Sequence, residues 1–211
     1  MLINIHTHYN QNNKQEIIQS DKIENENYFS FGIVNKTYPD DPAFPLFLDQ
    51  VYAHKNCLAI GEIGIDKNST INLNEQIQTF KKQIFDSEKH QLPVILHCVK
   101  GWNEILHVKK EINPNQPWVF HGFRKTNLLN SVIDSGTFIS IGTAVIWDEK
   151  LQEYVKKIPL ERLFLETDND TNYKILDVYE KIASIKNISL QTLEDQLYFN
   201  TINTFKKWEI G

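Results

Sequence analysis

The chain has 211 residues, a formal net charge of −5 and 41% hydrophobic residues. This length and composition predict one globular domain over residues 1–211 with a full core. The acidic charge argues against the broad basic face of non-specific nucleic-acid binders. No signal-peptide pattern, C-x-x-C pair or apolar run of the roughly 18 residues that a membrane helix needs is found in the sequence. We therefore expect a cytoplasmic protein that neither enters a membrane nor depends on an obligate protein partner.

Short apolar runs rich in Val, Ile, Leu and Phe recur along the chain and predict strands buried on both faces, as in a parallel sheet. The predicted strands are 2–8, 28–34, 57–65, 93–99, 117–123, 137–142 and 163–168, with a weaker candidate at 16–20. Amphipathic helical patterns follow at 72–91, 102–112, 127–136, 149–158 and 190–208. Strands that alternate with helices are typical of α/β folds.

The number and order of these elements favour a TIM-type (β/α) barrel. Seven or eight parallel strands also fit an open doubly wound sheet, but no G-x-G-x-x-G or G-K-[ST] loop follows a strand. The segments 9–15 and 21–27 between the first strands are too short for a helical crossover. We therefore predict a compact, distorted α/β barrel in which the first one or two helices are reduced or missing.

Ionisable residues stand at or near the C-terminal ends of five predicted strands, where a parallel sheet would otherwise be apolar. Each of them alone is more often structural, as a core histidine or part of a turn. Buried together without partners, however, they would be costly, and C-terminal strand ends form the active-site rim of α/β barrels. A shared cation explains why they meet. The candidate metal ligands are His6, His8, Glu62, His97, His121 and Asp168, and Glu166 shares a face with Asp168.

Seven motifs follow one another between residue 3 and residue 205: INIHTH, AIGEIGID, QTFKKQIFDSEKHQLPVILHC, FHGF, TFISIG, LFLETD and LYFNTINTF. This set resembles the TatD-type metal-dependent deoxyribonucleases, which belong to the amidohydrolase-like barrels. HCVKGW and HGFRK are similar to a short bacterial branch of the family, and Asn200 matches a recurrent asparagine. Asn4 stands where the family usually has an aspartate, and HCVKGW lacks the arginine that commonly follows the fifth-strand histidine.

The resemblance implies a hydrolase with two divalent metal ions, either Mg²⁺, Mn²⁺ or Zn²⁺. It also implies cleavage of phosphodiester bonds in DNA, as by a 3′–5′ exonuclease that acts on single strands or 3′ ends. The implied ligands are His6, His8 and Asp168 for the first ion, His97 and His121 for the second, and Glu62 as a bridge between both.

The same resemblance implies that Asp168 and Glu62 are catalytic. Asp168 would ligate a metal and take or orient the proton of the attacking water, and Glu166 is the less expected base. Trp102, just past the fifth strand, could stack a base, although packing at the start of a helix accounts for it equally well. Four cations follow directly on the rim motifs and could hold phosphates, or could simply be solvated charges: Lys67, Lys100, Arg124 and Lys125.

Two other functions stay open. The acidic charge and the missing arginine also fit a hydrolase of a small amide, lactone or phosphoester on the same metal platform. A catalytically silent barrel is a further alternative, although all six candidate ligands are intact. The polymerase-and-histidinol-phosphatase type of barrel also begins with H-x-H, but it is disfavoured because no histidine follows His121.

Overall fold

In the computed structural model, which describes residues 1–11 and 15–208, eight strands form one sheet in chain order. The first and second, third and fourth, fourth and fifth, and seventh and eighth strands pair in parallel. The predicted sheet is confirmed, including the weaker strand at 16–20. The strands are β1 (Asn4–Thr7), β2 (Glu16–Gln19), β3 (Tyr28–Phe31), β4 (Cys57–Asp66), β5 (Val94–Val99), β6 (Trp118–Phe120), β7 (Phe138–Ile141) and β8 (Leu163–Leu165).

Seven α-helices occur in the described residues, and none of them has the length and hydropathy of a membrane span. No helix lies between β1 and β2 or between β2 and β3 in the part of the chain that is described, as the short spacing predicts. The helices are α1 (Phe44–Ala53), α2 (Leu73–His90), α3 (Trp102–Ile112), α4 (Leu129–Asp134), α5 (Glu149–Val155), α6 (Ile175–Lys186) and α7 (Leu190–Thr204).

Two of these helices, α1 and α6, are absent from the sequence-based prediction. α1 exposes apolar side chains as well as burying them, with Leu46 67% and Phe47 37% exposed, so its sequence shows no clean apolar face. In α6 the buried residues Ile175, Val178 and Ile182 do recur at helical spacing, so the periodic signal is present in the sequence.

The chain divides into two units, each with its own core. The first unit comprises Met1–Ile18 and Phe120–Thr204, and the second comprises Gln19–Val119 and the chain from Phe205 onward. Two of the three boundaries fall inside strands, because β2 and β6 have residues in both units, and the third follows the end of α7. A single domain over residues 1–211 stays a prediction.

In the first unit, polar side chains of the last two helices hold strand backbones. The buried Tyr179 hydroxyl of α6 accepts a hydrogen bond from the Ile3 amide at 3.0 Å and donates one to the Ile3 carbonyl at 3.1 Å. Asn200 of α7 donates to the carbonyls of Leu160 and Leu163 at 2.8 and 2.9 Å. These bonds satisfy backbone groups at the start of β1 and β8, so both strands are fixed before they reach the residues of the candidate site.

In the second unit, two glutamines on one face of α2 hold the backbone of two other segments. The Gln83 side chain accepts from the Ile33 amide at 2.7 Å and donates to the Ile33 carbonyl at 2.9 Å. Gln76 accepts from the Asp66 amide at 2.8 Å and donates to the Asp66 carbonyl at 3.0 Å. Residues seven apart lie on the same side of a helix. α2 therefore positions both the chain that follows β3 and the end of β4.

Replacing Gln83 by alanine leaves the amide and the carbonyl of Ile33, a residue only 7% exposed, without these partners. We expect the free energy of unfolding to fall by about 2–4 kcal/mol, because each buried group that loses its partner costs about 1–3 kcal/mol. Chemical denaturation measures the change. Gln78→Ala on the exposed face of the same helix is the matched control and should change stability by less than about 0.5 kcal/mol. Equal losses in the two variants would contradict the role assigned to Gln83.

Candidate functional site

His6 of the first strand, His8 directly after that strand and Asp168 after the last strand form the first cluster of the candidate site. β1 lies beside the end of β8, where Thr7 pairs with Asp168 and the His8 amide donates to the Asp168 carbonyl at 3.0 Å. Nε2 of His6 and Nε2 of His8 lie 3.5 and 3.4 Å from Oδ1 of Asp168. Atoms that bind one ion at about 2.0–2.2 Å lie within about 4.4 Å of one another, so this donor set fits a divalent cation.

The Asp168 carboxylate is charged and its backbone conformation is unusual. Its φ of 53° is in the left-handed region, which residues other than glycine seldom adopt. Burial raises the pKa of the Asp168 carboxyl, but hydrogen bonds from His6 and His8 and the nearby imidazoles outweigh burial and hold that pKa well below its usual range. The side chain is therefore an anion at neutral pH, which is the form that binds a cation.

Asn4 positions the turn that carries Asp168. The fully buried Asn4 side chain donates from Nδ2 to the Thr167 hydroxyl at 2.9 Å and accepts from the Thr167 amide at 3.2 Å. Gln11 donates to the same hydroxyl at 3.2 Å. An amide can both donate and accept, whereas a carboxylate only accepts. The asparagine that departs from the family pattern thus has a structural role next to the first cluster.

The other carboxylate of the LFLETD motif, Glu166, contacts a different histidine. Glu166 is fully buried, its Oε1 accepts from the Gly122 amide at 2.6 Å, and the same oxygen lies 3.5 Å from Nδ1 of His121. The His121 ring lies 4.5 Å from the His6 ring, centroid to centroid. Glu166 therefore holds the turn after β6, and Asp168, with its side chain 35% exposed, is the more accessible carboxylate.

A second cluster lies in the second unit, at the ends of β4 and β5. Nδ1 of His97 is 2.9 Å from Oε2 of Glu62, and Nε2 of His97 is 3.3 Å from Oδ2 of Asp66. Gly64 pairs with His97 between the two strands and has a φ of 145°. A Cβ at Gly64 would lie 2.0 Å from the His97 carbonyl oxygen, so the close approach of β4 and β5 requires glycine here.

Asp66 is a residue of this cluster that the sequence-based prediction omits. Burial raises the pKa of the Asp66 carboxyl, but hydrogen bonds from the Asn68 amide, His97 and Asn35 lower it more, so the net shift is downward. A negative charge therefore faces the second nitrogen of His97. The criterion that selects Glu62, a polar residue near the C-terminal end of a buried strand, also applies to Asp66.

The predicted phosphate-binding cations are placed on both units and are mostly engaged with polar side chains. Lys125 is exposed. The contacts of the others are Lys67 with Glu104 at 2.8 Å, Lys100 with Asn68 at 3.0 Å, and Arg124 with Asp148 at 3.1 Å. An exposed ion pair contributes little free energy, so these cations can exchange partners at small cost.

The structure exposes a different tryptophan from the one that was predicted to stack a base. Trp102 begins α3 and is 8% exposed, so its ring packs in the interior and is poorly placed for a base. Trp147 is 58% exposed in the turn after β7, with the guanidinium carbon of Arg124 5.0 Å from its ring centroid. Trp147 follows the end of a predicted strand, and this position is the sequence feature by which it could have been selected.

Comparison with known proteins decides the family. The family model described as TatD related DNase matches residues 1–206. The chain belongs to this family. A metal-dependent hydrolase of Methanocaldococcus jannaschii that is named as uncharacterized is 30% identical over 163 residues, which are 71% of this chain and 63% of that protein. A Pantoea ananatis protein named 3′-5′ ssDNA/RNA exonuclease TatD is 34% identical over 121 residues, 54% of this chain and 46% of that protein.

The fold of a TatD family member is also found in solved structures. A TatD homologue of Escherichia coli matches with a TM-score of 0.79 at 19% identity, over 97% of this chain and 98% of that one. A TatD family hydrolase of Entamoeba histolytica matches with a TM-score of 0.69 at 23% identity, over 80% of this chain and 70% of that one. These likenesses confirm the predicted TIM-type barrel. The chain spans less than two thirds of the length of the archaeal and Pantoea relatives.

The His8→Ala variant tests cation binding by the first cluster. The His8 side chain is 37% exposed, so removing it leaves the core intact. We expect Mn²⁺ or Zn²⁺ at about 100 times its dissociation constant to stabilise metal-stripped wild-type protein by about 2.7 kcal/mol, and His8→Ala to lose most of that gain. Thermal unfolding with and without the ion measures it. His107→Ala removes a histidine that is 77% exposed on α3 and should keep the full gain. The same metal response in both variants would exclude His8 as a ligand.

Proposed function

We propose that this TatD family member is a divalent-metal-dependent hydrolase that cleaves phosphodiester bonds in DNA, from the 3′ ends of single strands. The observation that carries the proposal is the cluster of His6, His8 and Asp168 in a chain that matches the TatD related DNase family over residues 1–206. Single-stranded substrate and 3′–5′ polarity are supported by the printed name of the Pantoea relative.

We propose that the candidate ligands hold two divalent ions, either Mg²⁺, Mn²⁺ or Zn²⁺. Support comes from the strand ends on which the residues stand and from the contact of Glu62 with His97 at 2.9 Å. Bound divalent ions would supply an activated water and neutralise charge on the phosphate oxygens. The proposed ligands are His6, His8 and Asp168 for the first ion, His97 and His121 for the second, and Glu62 as the bridge.

The chain's own residues divide the remaining work. Asp168 is ionised and partly exposed, so it can accept and orient the proton of the attacking water. Glu166 is fully buried on the Gly122 amide and positions His121. Asp66 contacts Nε2 of His97 at 3.3 Å, which fixes the orientation of that ring and leaves Nδ1 directed toward the other proposed ligand, Glu62.

The rim cations are the proposed phosphate contacts. The Arg124 side chain is 50% exposed and donates to Asp148. A phosphate can replace the Asp148 carboxylate, because phosphate and carboxylate oxygens both accept hydrogen bonds from the planar guanidinium. The exposed Lys125 adjoins it in the chain. Lys67 and Lys100 are the corresponding candidates beyond β4 and β5.

A cytoplasmic location stays a prediction.

A hydrolase of a small amide, lactone or phosphoester is the second candidate. The net charge of −5 and the pairing of Lys67 with Glu104 and Arg124 with Asp148 favour it, because a long polyanion gains less from cations that already face carboxylates. Both candidates use the same proposed ligands, so they differ in substrate and not in the metal centre.

Asp168→Asn is the variant that tests the proposed role of the carboxylate. With Mg²⁺ or Mn²⁺ we expect wild-type protein to shorten a 5′-labelled single-stranded oligonucleotide progressively from its 3′ end. The variant should be slower by about 10²–10⁴-fold, because the amide neither accepts a proton nor carries a charge. Gel electrophoresis of the products measures both. Asp134→Asn changes an exposed aspartate at the end of α4 and should retain wild-type activity.

The polarity and the substrate class are read in the same assay. A 3′-labelled strand should release its label first, as a mononucleotide, whereas early internal fragments would contradict exonuclease action. Absence of nucleotide release, together with an esterase or amidase activity that His6→Ala abolishes, would replace the nuclease proposal by the second candidate.

A further inference from the structure

A cavity of about 410 Å³ opens beside Asp168 in the first unit. The turns that follow β6, β7 and β8 line it, with Gly122, Gly142 and Asp168 among the residues at its wall. Its volume falls in the range of about 300–1,000 Å³ that is typical of small-ligand sites. It is therefore large enough for one nucleotide unit next to the first cluster.

Trp147 presents an aromatic face at this cavity. Three of the four tryptophans are buried, at 8% exposure or less, and Trp147 is 58% exposed. Single exposed aromatic residues are common, so exposure alone carries no argument. Here, however, the Arg124 guanidinium lies 5.0 Å from the ring centroid, and both residues line the cavity. The indole therefore lies beside the candidate site with a cation against its ring.

The charge of the cavity wall decides which part of a nucleotide fits against Trp147. The carboxylates of Glu166, Asp168 and Asp170 line the cavity, with Arg124 as the one cation among its described lining residues. Asp170 is ordered by the Thr143 hydroxyl, which donates to it at 2.7 Å. These carboxylates would repel a second phosphate group of the substrate if it entered the cavity. A neutral base meets no such repulsion, and its amino groups can donate to the carboxylates.

We propose that Trp147 stacks on the nucleobase of the nucleotide whose phosphate lies at the Asp168 cluster. The inference rests on the proposed function and names the contact by which a nucleotide, and not merely a phosphate ester, is recognised. The Arg124 guanidinium lies over the indole at 5.0 Å from its centroid, and base stacking on an aromatic ring tolerates any base sequence.

The first test is kinetic and compares substrates with and without a base. We expect Trp147→Ala to lower kcat/KM for a single-stranded oligonucleotide about 5- to 150-fold more than for an abasic oligonucleotide of the same length, the range that corresponds to one lost base–aromatic stack. Most of the loss should be in KM, and Trp147→Phe should recover much of it. Phe199→Ala removes an equally exposed ring, 58%, from α7 and should leave both substrates unaffected.

The second test measures binding without turnover. Deoxyadenosine 5′-monophosphate in Mg²⁺ should quench the fluorescence of Trp147, whereas deoxyribose 5-phosphate, which lacks only the base, should not. The difference should vanish in Trp147→Phe, whose remaining tryptophans are all buried.

The two tests separate this inference from the proposed function. Equal quenching by the two phosphates, or equal losses on the two substrates in Trp147→Ala, overturns the stack even if the wild-type protein degrades DNA. If wild-type protein cleaves neither substrate, the proposed function fails, and the fluorescence titration still decides whether Trp147 meets a base.

Discussion

The contact of the Asp168 carboxylate with the imidazoles of His6 and His8 is the interaction on which the candidate site depends. His6 is fully buried, and a buried imidazole beside an ionised carboxylate is tolerable only when each offsets the desolvation of the other. The backbone enforces that meeting, because the His8 amide donates to the Asp168 carbonyl and Asn4 holds Thr167 at two points. The pairing of β1 with the end of β8 therefore creates the donor set as a direct result of the fold.

A common arrangement links the two histidines proposed for the second ion. His97 faces Asp66 at 3.3 Å, and His121 faces Glu166 at 3.5 Å, so each imidazole has a carboxylate that is not itself a proposed ligand. Such carboxylates fix the tautomer and the orientation of a metal-binding histidine. In GEIGID and in LFLETD, one acidic residue is thus a proposed metal ligand, and the other contacts a histidine that is a proposed ligand.

The parts of this site that could be predicted from the sequence are those governed by strand burial. Polar residues in otherwise apolar runs identified His6, His8 and Asp168, because a charge at a buried strand end is costly unless a cation or a counter-charge meets it there. Most strands were predicted to end later than they do: β8 ends at Leu165, three residues before Asp168, where the prediction placed its end. Apolar runs report burial, whereas strand bounds are set by backbone hydrogen bonds, which end while the chain is still buried.

Contacts between distant segments are the features that the sequence left open. Asp66 meets the same strand-end criterion as Glu62, but its contact with His97, 31 residues away, is visible only in the folded chain. Trp102 and Trp147 both follow a strand, and only packing distinguishes the buried ring from the exposed one. The family resemblance supplied the roles of the proposed ligands, but it carried no information on a tryptophan outside the shared motifs.

The two glutamine contacts of α2 limit how this helix can change in length. Gln76 and Gln83 reach the backbone of Asp66 and Ile33 from one helical face because two turns, within about 20°, separate them. Inserting or deleting a single residue between them would rotate one glutamine by about 100° and leave its backbone groups unsatisfied. Homologous chains should therefore vary in length at the ends of this helix or in its loops, and keep this seven-residue interval constant.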